Sequence, residues 1–327
     1  MKTMQRLNGA YRDATVVEFD DSSKFVWLSD SHRGDGSMTD EFIKNKNIFV
    51  TAVRHYYDEG FTLIEAGDSD ELWEYSARHI IKANGIVFSE IKKFHDEGRL
   101  YRMFGNHDFD MADPEFVRAN YEQAPNPVTG EVEPFLPGLV VHEAILLRHK
   151  ESGRELLTVH GHQGDFSNDQ NWRFTRFTFR LFWRRMHMLG IKSPSSPIQN
   201  SFKRHKVERN YNRWIKHNRV PLICGHTHRE RFPRGDDLPY FNTGSCVFPH
   251  YITGLELVDG ALSLVGWRVE PDANNYLHIT KRTLFGPRHI NTLYVDPEAD
   301  IEPTEDLDPG SEGSPEGRSG EGVASEA

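Results

Sequence analysis

The chain has 327 residues, of which 37% are hydrophobic, and a formal net charge of −10, so it can bury a sizeable core in one large domain or two ordinary ones. It has no apolar run long enough for a transmembrane helix, and its start, MKTMQRLNGAYRDATVVEF, lacks the apolar block of a signal peptide. Two cysteines are too few for a disulfide framework or a thiolate zinc site. We therefore expect a cytoplasmic protein in which nitrogen and oxygen atoms hold any metal.

The first half of the chain alternates short β-rich runs with helical patterns. In order, these are FVWLSD (25–30), a helix over about 40–58, TLIEAGD (62–68), a helix over about 72–95, and LYRMFGN (100–106). Strand–helix–strand alternation predicts parallel strands joined by crossover helices. The proline-rich stretch APNPVTGEVEPFLPG (124–138) predicts a long loop.

The second half contains hairpin patterns, which predict antiparallel strands as well. LVVHEAILLRH and ELLTVHGH flank KESGR (150–154), VPLICGHTH (220–228) follows, and GLELVDGALSLVGWRV (254–269) has a turn at Asp259–Gly260. Together the elements predict two packed sheets with helices outside, an α+β sandwich in one domain over residues 1–295.

A basic insertion, residues 166–219, separates ELLTVHGH from VPLICGHTH. Residues 171–219 hold thirteen Lys or Arg and one acid, Glu208, and predict two helices joined by KSPSSP. In the first of these, Arg176 and Arg180 lie on a basic stripe surrounded by aromatic residues. The stripe is either a solvated face or a lid over the site. As a lid it would bind an anionic substrate, and the further alternative is an edge that contacts anionic lipid.

The last stretch, residues 296–327, contains eleven acids and a single base, Arg318, and is rich in Gly, Ser and Pro. Such a composition buries too little apolar surface to offset the entropy lost on ordering. We therefore predict a disordered acidic tail beyond the folded domain.

Polar side chains typical of metal sites follow five of the predicted strands. A histidine in a strand-terminal turn is more often a satisfied hydrogen-bonding residue than a ligand, so each block alone is ambiguous. Five blocks in order are hard to attribute to chance, and α/β folds place their sites at the carboxyl ends of strands. The residues are Asp30 and His32 in LSDSHRGD, Asp68 in EAGDSDE, Asn106, His107 and Asp108 in FGNHDFD, His160 and His162 in VHGHQGD, and His226 and His228 in CGHTHRE.

This ordered set resembles the calcineurin-like metallophosphoesterase superfamily, whose pattern runs D-x-H, G-D, G-N-H-[DE], H and G-H-x-H. The resemblance extends over about residues 24–247 and implies a four-layer αββα sandwich with two mixed central sheets, here with a helical insertion. It also implies two divalent metal ions, and it assigns none to His162. The implied ligands are Asp30, His32 and His228 for one ion, Asn106, His160 and His226 for the other, and Asp68 as the bridge.

Imidazole, carboxylate and amide donors suit Mn, Fe or Zn ions. Two such ions about 4 Å apart can share one carboxylate and one water and lower the pKa of that water enough to give hydroxide near neutral pH. The expected reaction is hydrolysis of a phosphomonoester or phosphodiester by this hydroxide, and the leaving group then needs a proton. His107, adjacent to Asn106, is the candidate proton donor and oxyanion stabiliser.

Acidic residues near these blocks have structural as well as catalytic interpretations. Asp108 either orients His107 in catalysis or ties down the loop that carries it. Asp70 and Glu71 are expected to cap the next helix, because acids favour a helix N-terminus.

Three arginines near the blocks, Arg33, Arg229 and Arg231, are candidates for binding substrate phosphate, although a lone arginine is by default solvated. Cys224 and Cys246 lie in apolar runs, and we expect both to be buried packing residues.

Several functions remain open for this chemistry. The helical insertion and GDSDELWEY (67–75) resemble the UDP-2,3-diacylglucosamine hydrolases, a branch of the same superfamily that typically carries arginine where this chain has His107. Serine/threonine protein phosphatases share G-N-H but usually continue with Glu. The competing class is a non-enzymatic protein that docks on membrane or nucleic acid through the basic helices. Outside the insertion the chain is acidic, which disfavours binding along an extended nucleic acid. For the enzyme, we expect an anionic substrate that contains phosphate.

Overall fold

The computed structural model describes residues 2–126, 129–164 and 201–293, and all of them belong to one compact unit, Met1–Val295. The first predicted helix of the insertion, with Arg176 and Arg180, and the predicted tail at 296–327 lie outside the described residues. The limits of the domain, the lid and the tail therefore stay predictions. Within the described ranges the α-helices are α1 (Lys2–Arg12), α2 (Lys46–Asp58), α3 (Ala77–Ala83), α4 (Gly85–Asp96), α5 (Pro114–Tyr121) and α6 (Ser201–Asn218).

The strands in the same ranges form two large sheets and one small one. The seven-stranded sheet has the order β14-β13-β12-β2-β3-β4-β7, the five-stranded sheet has the order β1-β8-β9-β10-β11, and β5 pairs with β6. The strands are β1 (Thr15–Phe19), β2 (Phe25–Leu28), β3 (Thr62–Ala66), β4 (Leu100–Met103), β5 (Gln123–Pro125), β6 (Val132–Pro134), β7 (Val141–His142), β8 (Ala144–His149), β9 (Glu155–Val159), β10 (Leu222–Cys224), β11 (Tyr240–Asn242), β12 (Tyr251–Val258), β13 (Ala261–Pro271) and β14 (Leu277–His289).

Both large sheets are mixed, as expected. β2, β3, β4 and β7 are parallel, whereas β12, β13 and β14 are antiparallel to their neighbours. In the five-stranded sheet, β8 and β9 form the predicted hairpin, and β9, β10 and β11 run parallel. The turn between β12 and β13 lies at Asp259 and Gly260, whose φ angles of 49° and 65° are those of a two-residue type I′ hairpin.

Successive strand residues point into different apolar clusters, because side chains alternate across a strand. Val26 and Leu28 of β2 pack with the helices that cover the seven-stranded sheet, whereas Phe25 and Trp27 pack between the two sheets. The Trp27 indole donates to Thr158 Oγ1 of the other sheet at 3.0 Å. This alternation along β2 places one shared core between the two sheets.

Helices cover the outer face of each sheet. Buried residues of α2, α3, α4 and α5 pack on the seven-stranded sheet. Leu7 of α1 and Tyr211, Trp214 and Ile215 of α6 pack on the five-stranded sheet. The four-layer αββα sandwich is thereby confirmed, and α6, the second predicted helix of the insertion, is part of its outer layer.

Some element boundaries differ from the prediction. The helix predicted over 40–58 begins only at Lys46, after a short 3-10 turn. The helix predicted over 72–95 is two helices, because Asn84 ends α3 and starts α4. The stretch 124–138, predicted as a loop, takes part in the β5–β6 pair. The sequence patterns did not reveal α1 or β1.

Candidate active site

The five sequence blocks lie at the carboxyl ends of adjacent parallel strands. Those after β2, β3 and β4 come from the seven-stranded sheet, and those after β9 and β10 come from the five-stranded sheet. The two sheets meet at this edge, since the backbone N–H of His226 donates to both oxygens of Asp30 at 3.1 and 3.0 Å. The site is therefore built from both halves of the sandwich.

The backbone is left-handed at five of the predicted ligand positions. Positive φ at a non-glycine residue is uncommon and costs about 1–3 kcal/mol at each position. Hydrogen bonds between neighbouring loops hold the bends: Asp30 N donates to Gly67 O at 3.1 Å, and His32 N donates to Asp68 O at 2.9 Å. The φ angles are 51° at Asp30, 43° at His32, 50° at Asp68, 67° at His226 and 48° at His228.

Two glycines of the motifs are required by close approach. A Cβ atom on Gly105 would lie 2.2 Å from Asp68 Oδ1, and one on Gly225 would lie 2.4 Å from Asp30 Oδ2. Any larger residue at either position would displace a carboxylate, so the glycines of G-N-H-D and G-H-T-H keep room for Asp68 and Asp30.

Asp30, His32 and His228 form the first group of potential ligands, with donor atoms that all lie within 4.8 Å of one another. His228 Nε2 is 3.1 Å from Asp30 Oδ1 and 3.1 Å from His32 Nε2. Burial raises the pKa of Asp30, but the nearby His228 outweighs it and brings the pKa to about 2. The group therefore offers one ionised carboxylate and two imidazoles.

Asp68, His160 and His226 form the second group. His160 Nδ1 donates to the Ala66 carbonyl at 2.9 Å, which leaves Nε2 as the basic nitrogen, 3.1 Å from Asp68 Oδ2. Asp68 Oδ2 is also 3.8 Å from His32 Nε2, so this carboxylate lies between the two groups.

The donor set fits divalent metal ions. Asn106 is 2% exposed, and its Oδ1 accepts no hydrogen bond within the part of the chain that the structure describes. A buried amide oxygen without a partner is costly, and a cation bound there would satisfy it. Imidazole, carboxylate and amide oxygen without thiolate suit Mn, Fe or Zn.

His107 forms a third such group with His32 and Asp68, and 21% of its side chain is exposed. Its ring stacks on the Trp73 indole, with centroids 4.1 Å apart and planes 20° apart. Burial lowers the pKa of His107, but the carboxylates of Glu71 and Asp68 outweigh it and raise the pKa above its ordinary value. The imidazolium form, which can donate a proton, is thereby favoured.

Glu71 is a site residue that sequence reasoning missed. Its Oε2 accepts from His107 Nδ1 at 2.7 Å and from His32 Nδ1 at 2.9 Å. The prediction that Asp70 and Glu71 cap the next helix is wrong, because α3 begins at Ala77, further along the chain. The available signal was an acid three residues after Asp68, close enough in sequence to belong to the same strand end.

Asp108 ties down its loop. Its carboxylate accepts backbone N–H groups from Gly105 at 2.6 Å, Ser69 at 2.8 Å and Asp68 at 3.2 Å. The predicted catalytic role, in which Asp108 orients His107, is corrected, because Glu71 is the carboxylate that binds that ring.

The prediction that Arg33 binds substrate phosphate is also wrong. Its side chain is 0% exposed, with Nε donating to Asp70 Oδ1 at 2.7 Å and Nη1 donating to Glu65 Oε1 at 2.6 Å. A guanidinium held by two carboxylates in the interior cannot bind substrate phosphate. Arg229, in contrast, is exposed next to His228 and stays a candidate for that role.

The remaining sequence candidates are distributed as follows. His162 is fully buried, and in the described ranges neither ring nitrogen has a hydrogen-bond partner. Among the described residues it belongs to none of the ligand groups. Cys224 and Cys246 are buried, as expected. Arg231 forms an ion pair with Asp237 at 3.8 Å.

Nitrogen and oxygen ligands at the strand ends of an αββα sandwich, with a histidine beside them, define a metal-dependent phosphoesterase site. The sequence model of the calcineurin-like phosphoesterases matches residues 23–230, and the chain belongs to this family. The protein is therefore a hydrolase of phosphoric esters, and the non-enzymatic alternative is set aside.

Solved structures give weaker similarity. An uncharacterised protein from Streptococcus pneumoniae, titled a predicted phosphoesterase, shares 12% sequence identity at a TM-score of 0.32, and the match covers 80% of this chain and 97% of that one. Vacuolar Protein Sorting 29 from Cryptosporidium parvum shares 12% identity at a TM-score of 0.34, with 80% of this chain and 98% of that one covered. A Staphylococcus aureus protein, to which 5′-nucleotidase activity is assigned by title only, shares 13% identity at a TM-score of 0.34, with 85% of this chain and 56% of that one covered. No curated protein matches the chain. Among the described residues, no helix is long and apolar enough to cross a membrane.

Proposed function

We propose that the protein is a dinuclear metallophosphoesterase that hydrolyses a phosphomonoester or phosphodiester. Asp30, His32 and His228 would hold one ion, and Asn106, His160 and His226 would hold the other. The observation that carries the proposal is the position of Asp68, whose Oδ2 is 3.1 Å from a nitrogen of one group and 3.8 Å from a nitrogen of the other. A carboxylate between two ligand groups is the arrangement that a bridging ligand needs.

Two divalent ions of Mn, Fe or Zn would supply a hydroxide nucleophile from a shared water and neutralise charge on the phosphoryl oxygens. His107 would protonate the leaving group. Glu71 holds its Nδ1, so Nε2 is the nitrogen left to donate, and the Trp73 indole fixes the ring plane. The same Glu71 oxygen fixes the ring of His32, so one carboxylate orients a proposed ligand and the proposed acid together.

The substrate is expected to be anionic. Arg229, exposed beside His228, would bind its phosphate, and Arg176 and Arg180 of the predicted lid would bind its more distant negative charge. A cytoplasmic location with membrane-surface contact through residues 171–219 belongs to the same proposal. A UDP-2,3-diacylglucosamine-type pyrophosphate hydrolase and a serine/threonine protein phosphatase are the alternatives.

One experiment separates these possibilities. Full-length protein, stripped of metal and reloaded with Mn, Fe or Zn, is assayed against phosphomonoesters, phosphodiesters, phosphopeptides and nucleotide-sugar pyrophosphates, with bound metal measured by mass spectrometry. Two ions per chain and turnover of a monoester or diester support the proposal. Turnover of the pyrophosphate or the phosphopeptide alone selects the corresponding alternative, and a single ion at saturation contradicts the dinuclear site.

A further inference from the structure

Four charged side chains and a tyrosine hydroxyl form a compact network in the interior, here called the buried charge cluster. Each of the four charged side chains is at most 1% exposed. Asp70 accepts from Arg33 Nε at 2.7 Å, from Arg102 Nη2 at 2.6 Å and from the Tyr121 hydroxyl at 2.6 Å. Glu65 accepts from Arg33 Nη1 at 2.6 Å and lies 3.6 Å from Arg102 Nε. Two positive and two negative charges balance.

The contribution of the buried charge cluster to folding stability does not by itself explain its presence. Buried ions lose much of their hydration, and apolar side chains of similar volume often stabilise a fold as well or better. The hydrogen bonding is also incomplete, since Arg33 Nη2, Arg102 Nη1 and Glu65 Oε2 have no hydrogen-bond partner in the described part of the chain. A geometric role explains the cluster better than an energetic one.

The cluster connects the loops that carry proposed metal ligands. The two arginines of the cluster and Asp70 each lie within a few residues of a proposed metal ligand in the sequence. A shift of one of these side chains would therefore shift the neighbouring ligand. The carboxylate of Asp70 receives a guanidinium from each of the two neighbouring strand ends and so links all three loops. The neighbouring pairs are Arg33 and His32 after β2, Asp70 and Asp68 after β3, and Arg102 and Asn106 on and after β4.

We propose that the buried charge cluster positions the two metal half-sites relative to each other, so that Asp68 can serve both ions. This inference rests on the proposed dinuclear function. A guanidinium is planar with donors in fixed directions, so it sets both the distance and the orientation of the carboxylates that it joins. Small misplacements of reacting groups lower rates strongly, even when the altered residue is remote from the chemistry.

The test is the charge-balanced double variant Glu65→Gln/Arg102→Met. It removes one positive and one negative charge and leaves the Arg33–Asp70 pair, so a folded protein with a thermal midpoint near that of the wild type is expected. We expect kcat to fall about 10- to 100-fold, as when groups that orient ligands are removed. KM should stay within about two-fold, because neither residue touches the substrate. In a Mn(II) titration the second equivalent should bind at least about ten-fold more weakly.

Two further variants keep the test interpretable. Arg148→Met makes the same substitution at a strand arginine paired with Glu155 at 2.8 Å, but on the surface, and should leave kcat and Mn(II) binding unchanged. Tyr121→Phe removes only the hydroxyl bonded to Asp70 and should weaken second-ion binding in the same direction by a smaller factor. If the double variant does not fold, Tyr121→Phe alone decides, and unchanged second-ion affinity would overturn the proposal.

Wild-type kcat and wild-type binding of both ions in the folded double variant would likewise overturn it, since a merely structural cluster would lower the thermal midpoint and nothing else. The proposed function fails by a separate outcome, namely a single ion bound by the wild type at saturation. In that case the cluster is judged on kcat, and equal values in the wild type and the double variant reject a positioning role.

Discussion

Asp68 is the side chain that joins the two halves of the proposed site. Beyond its contacts with His160 and His32, its Oδ1 accepts the backbone N–H of His107 at 2.8 Å. Burial opposes ionisation, but His160 and His107 outweigh it and hold the pKa of Asp68 well below its usual range. An ionised carboxylate has lone pairs on both oxygens, so it can bind two cations at once, which a neutral amide does poorly.

Replacing Asp68 with Asn is expected to abolish activity and to lower bound metal from two ions to at most one. The substitution keeps the shape of the side chain and removes the charge that two cations would share. Metal content by mass spectrometry and kcat on the best substrate check this. Asp20→Asn, at a partly exposed turn where the carboxylate pairs with Lys150 and belongs to neither ligand group, serves as the control. Two ions and full turnover in the Asp68 variant would contradict the bridging role.

Replacing His107 with Gln should leave both ions in place, because the proposed ligand is the adjacent Asn106. We expect kcat to fall by roughly 10² to 10⁴, the usual contribution of a positioned acid. The loss should shrink for esters with acidic leaving groups, which depart without a proton. The measurement is kcat across a series of aryl phosphates. An equal loss across the whole series would exclude proton donation by this ring.

The pH profile of kcat should report the same group. His107 acts in its protonated form, so activity is lost as pH rises through its pKa, which the carboxylate of Glu71 raises. Glu71→Gln removes the closest negative charge, so the pKa should fall and the limb should move to lower pH. A limb at the same pH in both proteins would assign it to another group.

At the scale of elements, the sequence predicted the strand ends that carry the site, together with the strands before them. Apolar runs followed by polar residues predicted β2, β3, β4, β9 and β10 and the ligand loops after them, because both signals are local in sequence. Contacts between residues that are distant in sequence could not be predicted from these local signals. Arg33 follows a proposed ligand, yet nothing in the sequence indicates that its side chain turns inward towards Glu65 and Asp70.

Helix boundaries show the same limit. The apolar pattern over 72–95 continues through Asn84, and only the structure shows that this side chain donates to the Ile80 and Gly34 carbonyls and breaks the helix. The early helix α1 has few apolar residues, and Leu7 and Ala10 are recognisable as core only beside the five-stranded sheet. The contribution of Trp73 to the site likewise became visible only in the structure, where its indole stacks on the His107 ring.

Gly105→Ala tests the space that the ligand loops need. The added methyl would lie 2.2 Å from Asp68 Oδ1, so the carboxylate must move, and we expect bound metal and kcat to fall together. Gly9→Ala in α1 is the matched control, since no atom lies within 4 Å of its Cβ position. It should raise stability by about 0.5–1 kcal/mol with unchanged kcat, because alanine favours a helix. Normal metal content in the Gly105 variant would contradict the crowding argument.

At the scale of the whole molecule, basic residues are concentrated in one segment of a chain whose net charge is negative. Thirteen bases lie in residues 171–219, between proposed ligands His160 and His226. Because His160 follows the carboxyl end of β9, the insertion begins beside the site. Its second helix, α6, also contacts this edge, since the Tyr211 hydroxyl donates to the Gly161 carbonyl. Part of it, α6, is structural, with Trp214 buried on the five-stranded sheet and Arg209 and Arg213 exposed.

Replacing Arg176 and Arg180 together with Ala should raise KM for a large anionic substrate and make binding less sensitive to salt, with little effect on a small chromogenic phosphate. Arg209→Ala/Arg213→Ala removes the same charge at the same spacing from α6 and serves as the control. Equal KM changes in the two double variants would attribute the effect to overall charge. Unchanged kinetics for both would leave the basic stripe as a solvated face.

The order of the ligand loops along the chain has a consequence for biosynthesis. Asp30 follows β2, yet β2 is bordered by β12, which is translated only after His228. A nascent chain that ends at Gly161, just after β9, carries Asp30, Asp68 and His160 but lacks β10 and the two histidines that follow it. Chains that stop before β10 therefore lack a proposed ligand of each ion. Hydrolase activity should appear only once the strands of both sheets have been made and have folded.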